Sequence, residues 1–112
     1  MKYKTLGRTG LRVSRIGLGT AEIGFAYGIG SRPVPSDAEA DRLLKSAVEM
    51  GINFFDTAAI HKLADERIAR SGIAKIPGVI IATKCAHFLE KGEDPPKNEL
   101  EKIHFNFCCL QQ

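Results

Sequence analysis

The sequence has little of what marks a specialised surface or compartment. No run of Lys or Arg builds a positive stripe interleaved with aromatics, so 16 basic and 13 acidic residues, net +3, leave no nucleic-acid footprint. No segment approaches a membrane span, and Met1-Lys2-Tyr3-Lys4 leads into no apolar stretch of signal-peptide length. Three cysteines, two of them adjacent at Cys108 and Cys109, make neither a disulfide framework nor a Cys-x-x-Cys knuckle. These absences lead to the expectation of a cytoplasmic protein without nucleic-acid or membrane partners. Low-complexity tracts and internal repeats are missing too. What is present, 112 residues that are 44% hydrophobic and 26% charged, suits one ordinary compact domain.

Residues 2–6 and 11–15 flank Gly7-Arg8-Thr9-Gly10, a four-residue connection with glycine at both ends, and predict a β-hairpin. Residues 16–20 are a short apolar run between turn signals, read as a buried strand. Residues 22–35, rich in Gly and ending in Arg32-Pro33-Val34-Pro35, predict a loop. Ser36-Asp37-Ala38-Glu39 is a capping box that opens a helix over 36–50. Its expected apolar stripe is Ala40, Leu43, Leu44, Ala47 and Val48, and Gly51 supplies its stop. Residues 52–57 form an apolar strand, and residues 63–71 a helix marked by Leu63, Arg67 and Ile68 and stopped by Gly72. Residues 79–84 give a third buried strand, and Asn98 is placed to cap a further helix through Ile103.

Short apolar strands alternating with helices imply parallel β-α-β units. An open doubly wound sheet and a (β/α)₈ barrel both begin this way, and periodicity does not separate them. The dinucleotide fingerprint Gly-x-Gly-x-x-Gly is missing between strand and helix. Gly17-x-Gly19 lies within the first strand, and Gly28-x-Gly30 lacks the third glycine.

Folds of this kind place their sites at the carboxyl ends of parallel strands. Three polar residues stand there: Thr20, Asp56 and Lys84. With neighbouring strands in register, the Asp56 carboxylate and the Lys84 ammonium lie at one level and pair. Such a pair either tunes a nearby proton donor or is a structural salt bridge at the rim, and the residues alone weigh both equally.

The stretch Lys2-Tyr3-Lys4-Thr5-Leu6-Gly7-Arg8-Thr9-Gly10-Leu11-Arg12-Val13-Ser14-Arg15-Ile16-Gly17-Leu18-Gly19-Thr20 resembles the N-terminal signature of bacterial aldo-keto reductases. Gly51-Ile52-Asn53-Phe54-Phe55-Asp56-Thr57-Ala58 is similar to that family's second-strand motif, and Ile80-Ile81-Ala82-Thr83-Lys84-Cys85 to its third. The resemblance covers residues 2–103. It implies an α/β fold made of an N-terminal hairpin plus the first three β/α units of a (β/α)₈ TIM barrel, incomplete as written. It also implies NADPH as cofactor, bound without a Rossmann domain, and reduction of small aldehydes or ketones by hydride transfer. In the family a tyrosine hydroxyl protonates the carbonyl oxygen, assisted by aspartate, lysine and histidine. Asp56 and Lys84 match the aspartate and lysine; Gly19, Thr20 and Asp56 match the nicotinamide side.

The tyrosine does not carry over. After Asp56-Thr57-Ala58-Ala59-Ile60 the family position holds His61, and of the following helix start only Asp65, Glu66 and Arg67 still resemble the pattern. Imidazole is a competent general acid, so His61 is either a substitute donor or the mark of a decayed site. Tyr27 sits in the first loop, His87 just past the third strand, and His104 ahead of the expected place of the family histidine. No metal site is expected, because His61, Cys85 and His87 lack a fourth ligand. Residues 104–112 break any helical pattern, as after a frameshift or truncation, or in a short product that needs a partner. Three strands leave two open sheet edges, through which self-association is expected. Two functions stand: family oxidoreductase chemistry realised in a longer assembly, and a noncatalytic remnant or interaction module.

Overall fold

The computed structural model describes residues 1–26, 28, 30, 33–61 and 63–84. The expected helix from Asn98 and the tail at 104–112 lie outside them. Strands β1 (Tyr3–Thr5) and β2 (Arg12–Ser14) pair antiparallel, Lys4 opposite Val13, as the hairpin pattern predicts. Strands β3 (Leu18–Gly19), β4 (Phe54–Asp56) and β5 (Ile80–Ala82) form a parallel sheet with β4 in the centre. Helix α1 (Asp37–Glu49) connects β3 to β4, and helix α2 (Leu63–Ser71) connects β4 to β5. No helix among the described residues is long and apolar enough to cross a membrane.

Helix α1 starts as its sequence dictates. Ser36 Oγ accepts from the Glu39 amide at 3.3 Å, and the Glu39 carboxylate accepts from the Ser36 amide at 2.8 Å. It ends where Gly51 takes a left-handed φ of 88°, and Gly72 at 77° ends α2 in the same way. Ala40, Leu44 and Ala47 of α1 meet Ala64 and Ile68 of α2 over Phe55, which is fully buried, with Ile23, Ile52 and Ile73 completing the core. Helices therefore cover one face of the sheet, and alternation along β4 turns Phe54 to the other.

Several expectations need correction. Residues 16–20 shorten to a two-residue strand in which Leu18 and Gly19 are in ladder register with β4, and Ile16 is exposed. Leu43 and Leu63 are exposed as well: at those turns the core-facing positions are taken by Leu44 and Ala64. The β5 residues are half-buried rather than buried, since helices pack on a single face and among the described residues no strand flanks β5 on its far side. Arg67 is buried, but as an ion. Its guanidinium holds Asp37 Oδ1 through Nε and Nη2, both at 2.8 Å, and donates from Nη1 to the Ile23 carbonyl at 2.6 Å. A polar side chain thus locks α2 to the start of α1 and to the turn after β3.

Asn53 sits in an apolar run yet makes the densest polar contacts of the sheet. Its Oδ1 accepts from the Ser14 amide at 2.6 Å, and its Nδ2 donates to Arg12 O and Gly78 O at 2.9 and 2.8 Å. Its own amide donates to Ser14 Oγ at 3.1 Å, and its carbonyl accepts from Ile80 at 2.7 Å. One residue joins the hairpin, β4 and the turn into β5. Tyr3 adds a second tie by donating from its hydroxyl to Gly51 O at 2.9 Å.

Two outcomes follow from these contacts. Asn53→Ala removes three side-chain bonds and is expected to cost about 2 kcal/mol, read as a melting temperature lower by about 10 °C; an unchanged melting temperature contradicts the role. Hydrogen bonds from the Ser36 hydroxyl, then its amide, hold the Glu39 carboxyl below its ordinary 4.5. A carboxyl lowered on folding adds stability that is present above that ordinary value and lost as pH falls through the folded one. The stability advantage over Glu39→Gln at pH values near neutrality should therefore shrink below pH 4.5 in denaturant titrations. An advantage that does not change with pH contradicts the capping box.

Candidate functional site

The register of the parallel sheet puts Gly19 beside Asp56 and Asp56 beside Ala82, all at carboxyl ends. Lys84 follows Ala82 by two residues, so by strand alternation it faces the same way. Its ammonium donates to Asp56 Oδ1 at 2.5 Å and to the Thr57 carbonyl at 3.2 Å. The two side chains are 62% and 47% exposed, so the pair sits at an open rim and not inside the core.

The backbone beneath is tightly laced. The Asp56 carbonyl accepts from both the amide and the hydroxyl of Thr20, each at 3.0 Å. Thr57 donates its amide to Ala82 O at 2.8 Å and its hydroxyl to Asp65 Oδ1 at 2.6 Å, and Ala59 donates to Lys84 O at 3.2 Å. Thr20 is fully buried with its hydroxyl already engaged; what it gives the site is support of Asp56. Gly19 differs. Among the described residues nothing lies within 4 Å of a Cβ built there, which leaves an open face beside Asp56.

His61 ends a 3₁₀ turn, Ala59–His61, and donates its amide to Ala58 O at 2.7 Å. Its ring lies 6.0 Å from that of Phe25 at a 40° tilt, and its Nδ1 is buried without a hydrogen-bond partner among the described residues. The first loop reaches it at Gly24, where an added Cβ would fall 1.7 Å from the His61 carbonyl oxygen. Only glycine fits there.

The fold thus assembles Gly19, Thr20, Asp56 and Lys84, while no hydrogen bond or ion pair joins His61 to Asp56 or Lys84. Tyr27, Cys85, His87 and His104 lie outside the described residues. Among the described residues there is no cluster of three or more His, Cys, Asp or Glu able to hold a metal ion. Thr57, Asp65, Gly24 and Arg67 belong to the site's support and were not singled out for it from sequence. The one signal for Thr57 was its place directly after Asp56.

The model of the Aldo/keto reductase family matches residues 15–106. L-Galactose dehydrogenase of Arabidopsis thaliana is 34% identical over 95 residues, covering 80% of this chain and 28% of that enzyme. Pyridoxal 4-dehydrogenase of Microbacterium luteolum is 36% identical over 109 residues, covering 88% and 30%. Among solved structures, an aldo-keto reductase from Bacillus halodurans in its holo form superposes with a TM-score of 0.67 at 27% identity, over 91% of this chain and 33% of that one. A Pseudomonas aeruginosa protein assigned to the same group gives 0.64 at 35% identity, over 75% and 33%. The chain spans less than a third of the length of the curated relatives it matches. Its hairpin and three parallel strands correspond to the opening part of their TIM barrel, and by sequence and fold alike the chain belongs to the aldo/keto reductase family.

Proposed function

We propose that this chain contributes the Asp–Lys side of an oxidoreductase site that interconverts small aldehydes or ketones and alcohols with NADP(H). The observation that carries the reading is the Lys84 ammonium bonded to Asp56 at the carboxyl end of the sheet, beside the open face of Gly19. That face suits a nicotinamide ring, and the nicotinamide supplies or takes the hydride. The rest of the work falls to side chains. Asp56 orients Lys84 through their hydrogen bond, and the positive charge so placed favours proton loss from a donor beside it. The donor acts on the carbonyl oxygen, and at the family's donor position stands His61. With Nδ1 buried, Nε2 is the nitrogen through which it would pass a proton.

A second reading, a noncatalytic remnant of the same family, is favoured by one feature. His61 lacks any bond to Lys84 or Asp56, and its buried Nδ1 has no partner among the described residues, a cost that a working donor would avoid.

One experiment tests both. Residues 1–103 are joined to the remaining strands of a complete family member, which supplies the rest of the cofactor site. The graft should reduce a reactive aromatic aldehyde slowly, and His61→Tyr should raise kcat by about 10²–10⁴-fold, the worth of one positioned general acid. Lys84→Met should abolish the gain. A His61 graft that equals the tyrosine version makes His61 a working donor; a tyrosine graft that stays inactive supports the remnant. The 112 residues by themselves are expected to show no NADPH oxidation with the same aldehyde, and turnover lost on Lys84→Met would contradict that.

A further inference from the structure

We propose that Thr57 is a positioning residue for Lys84, acting through a bond from its buried hydroxyl to the exposed carboxylate of Asp65; the inference rests on the reading of Lys84 as part of the site. Thr57 is 1% exposed, and every polar group it owns is engaged. Its amide binds the end of β5 at Ala82 O, 2.8 Å away. Its carbonyl is the second acceptor of the Lys84 ammonium, at 3.2 Å. Its hydroxyl donates at 2.6 Å to Asp65, in the first turn of α2.

A buried hydroxyl needs a partner somewhere, and the common solution is a neighbouring backbone carbonyl. Here the partner is a side-chain carboxylate eight residues on, and the bond is short, 2.6 Å. The effect is directional. Asp65 is fixed to α2, α2 is fixed by Ala64 and Ile68 in the core, and so the Thr57 peptide plane is anchored from the helix side. Its carbonyl is then held towards Lys84. The ammonium hangs between two acceptors, one carboxylate and one carbonyl, whose positions are set by different elements. Asp56 is set by β4; Thr57 is set by α2. Without the Asp65 bond, residues 57–59 would keep their backbone links to Ala82, Lys84 and His61 but no side-chain tie to α2, and the Thr57 carbonyl would hold Lys84 less firmly.

The test reads Lys84 directly and needs no turnover, so a failure of the redox reading leaves it intact. The folded 112-residue chain is treated with a limiting amount of an acetylating reagent, and modification at Lys84 is quantified by mass spectrometry against Lys45 and Lys75. Thr57→Val and Asp65→Ala should each raise the relative rate at Lys84 by roughly fivefold, the equivalent of one net hydrogen bond. The double variant should add little to either, and Thr57→Ser should restore the parent rate. An unchanged Lys84 rate in Thr57→Val and Asp65→Ala overturns the proposal. So does a rise shared equally by Lys45 and Lys75, which signals general loosening. If Thr57→Val fails to fold, Asp65→Ala and Thr57→Ser decide by the same criteria.

Discussion

The strand β4 is the constraint on which the described structure depends. At its entry, Asn53 gathers the hairpin and the turn before β5 through side chain and backbone together. In its middle, Phe55 is the large fully buried side chain over which α1 and α2 meet. At its exit stand Asp56 and Thr57, the residues that receive Lys84. A slip of one residue would exchange the two faces of the strand, turning Phe55 away from the helices and Asp56 away from Lys84. Packing and site are therefore specified by the same register.

Magnitudes show which of these contacts causes the others. The side chains of the Asp56–Lys84 pair are 47% and 62% exposed, and pairs of that kind contribute about 0–1 kcal/mol. It cannot hold the strands in place. Burial of Phe55, Leu44 and Ile73 does that, at roughly 1.5–3 kcal/mol for each large side chain. The ion pair is a consequence of the sheet, presented at its rim by elements stabilised elsewhere. The same holds for position 61, whose carbonyl lies against Gly24 of the first loop, itself tied through Ile23 to Arg67.

Local signals made much of the fold legible. The Ser36–Glu39 box, the positive-φ stops at Gly51 and Gly72 and the paired glycines of the hairpin act within a few residues, so the sequence displays their whole logic. The placement of Asp56 and Lys84 at strand ends was legible for a similar reason, since both close short apolar runs. Asn53 was not. Its partners lie 39, 41 and 25 residues away, and nothing near it in sequence announces a hydrogen-bonding hub. Arg67 read as a helix marker because its spacing places it on the buried face, while the charge that pairs there, Asp37, belongs to another helix. Leu43 and Leu63 show the opposite failure. Each has an apolar neighbour one residue on that takes the core position, and helical spacing does not say which of two adjacent residues packs.

The central claim is that β4 organises fold and site as one unit, and native-state hydrogen exchange tests it most directly. The amides of Thr20, Thr57 and Ile80 donate to Asp56, Ala82 and Asn53, and so report on both edges of β4 and both of its ends. If the claim holds, all three exchange slowly and open with the same free energy as the Leu44 amide in α1. Slow exchange in α1 alongside rapid, independent exchange at Thr20 and Thr57 would contradict it, separating a folded helical layer from a site that the sheet does not hold.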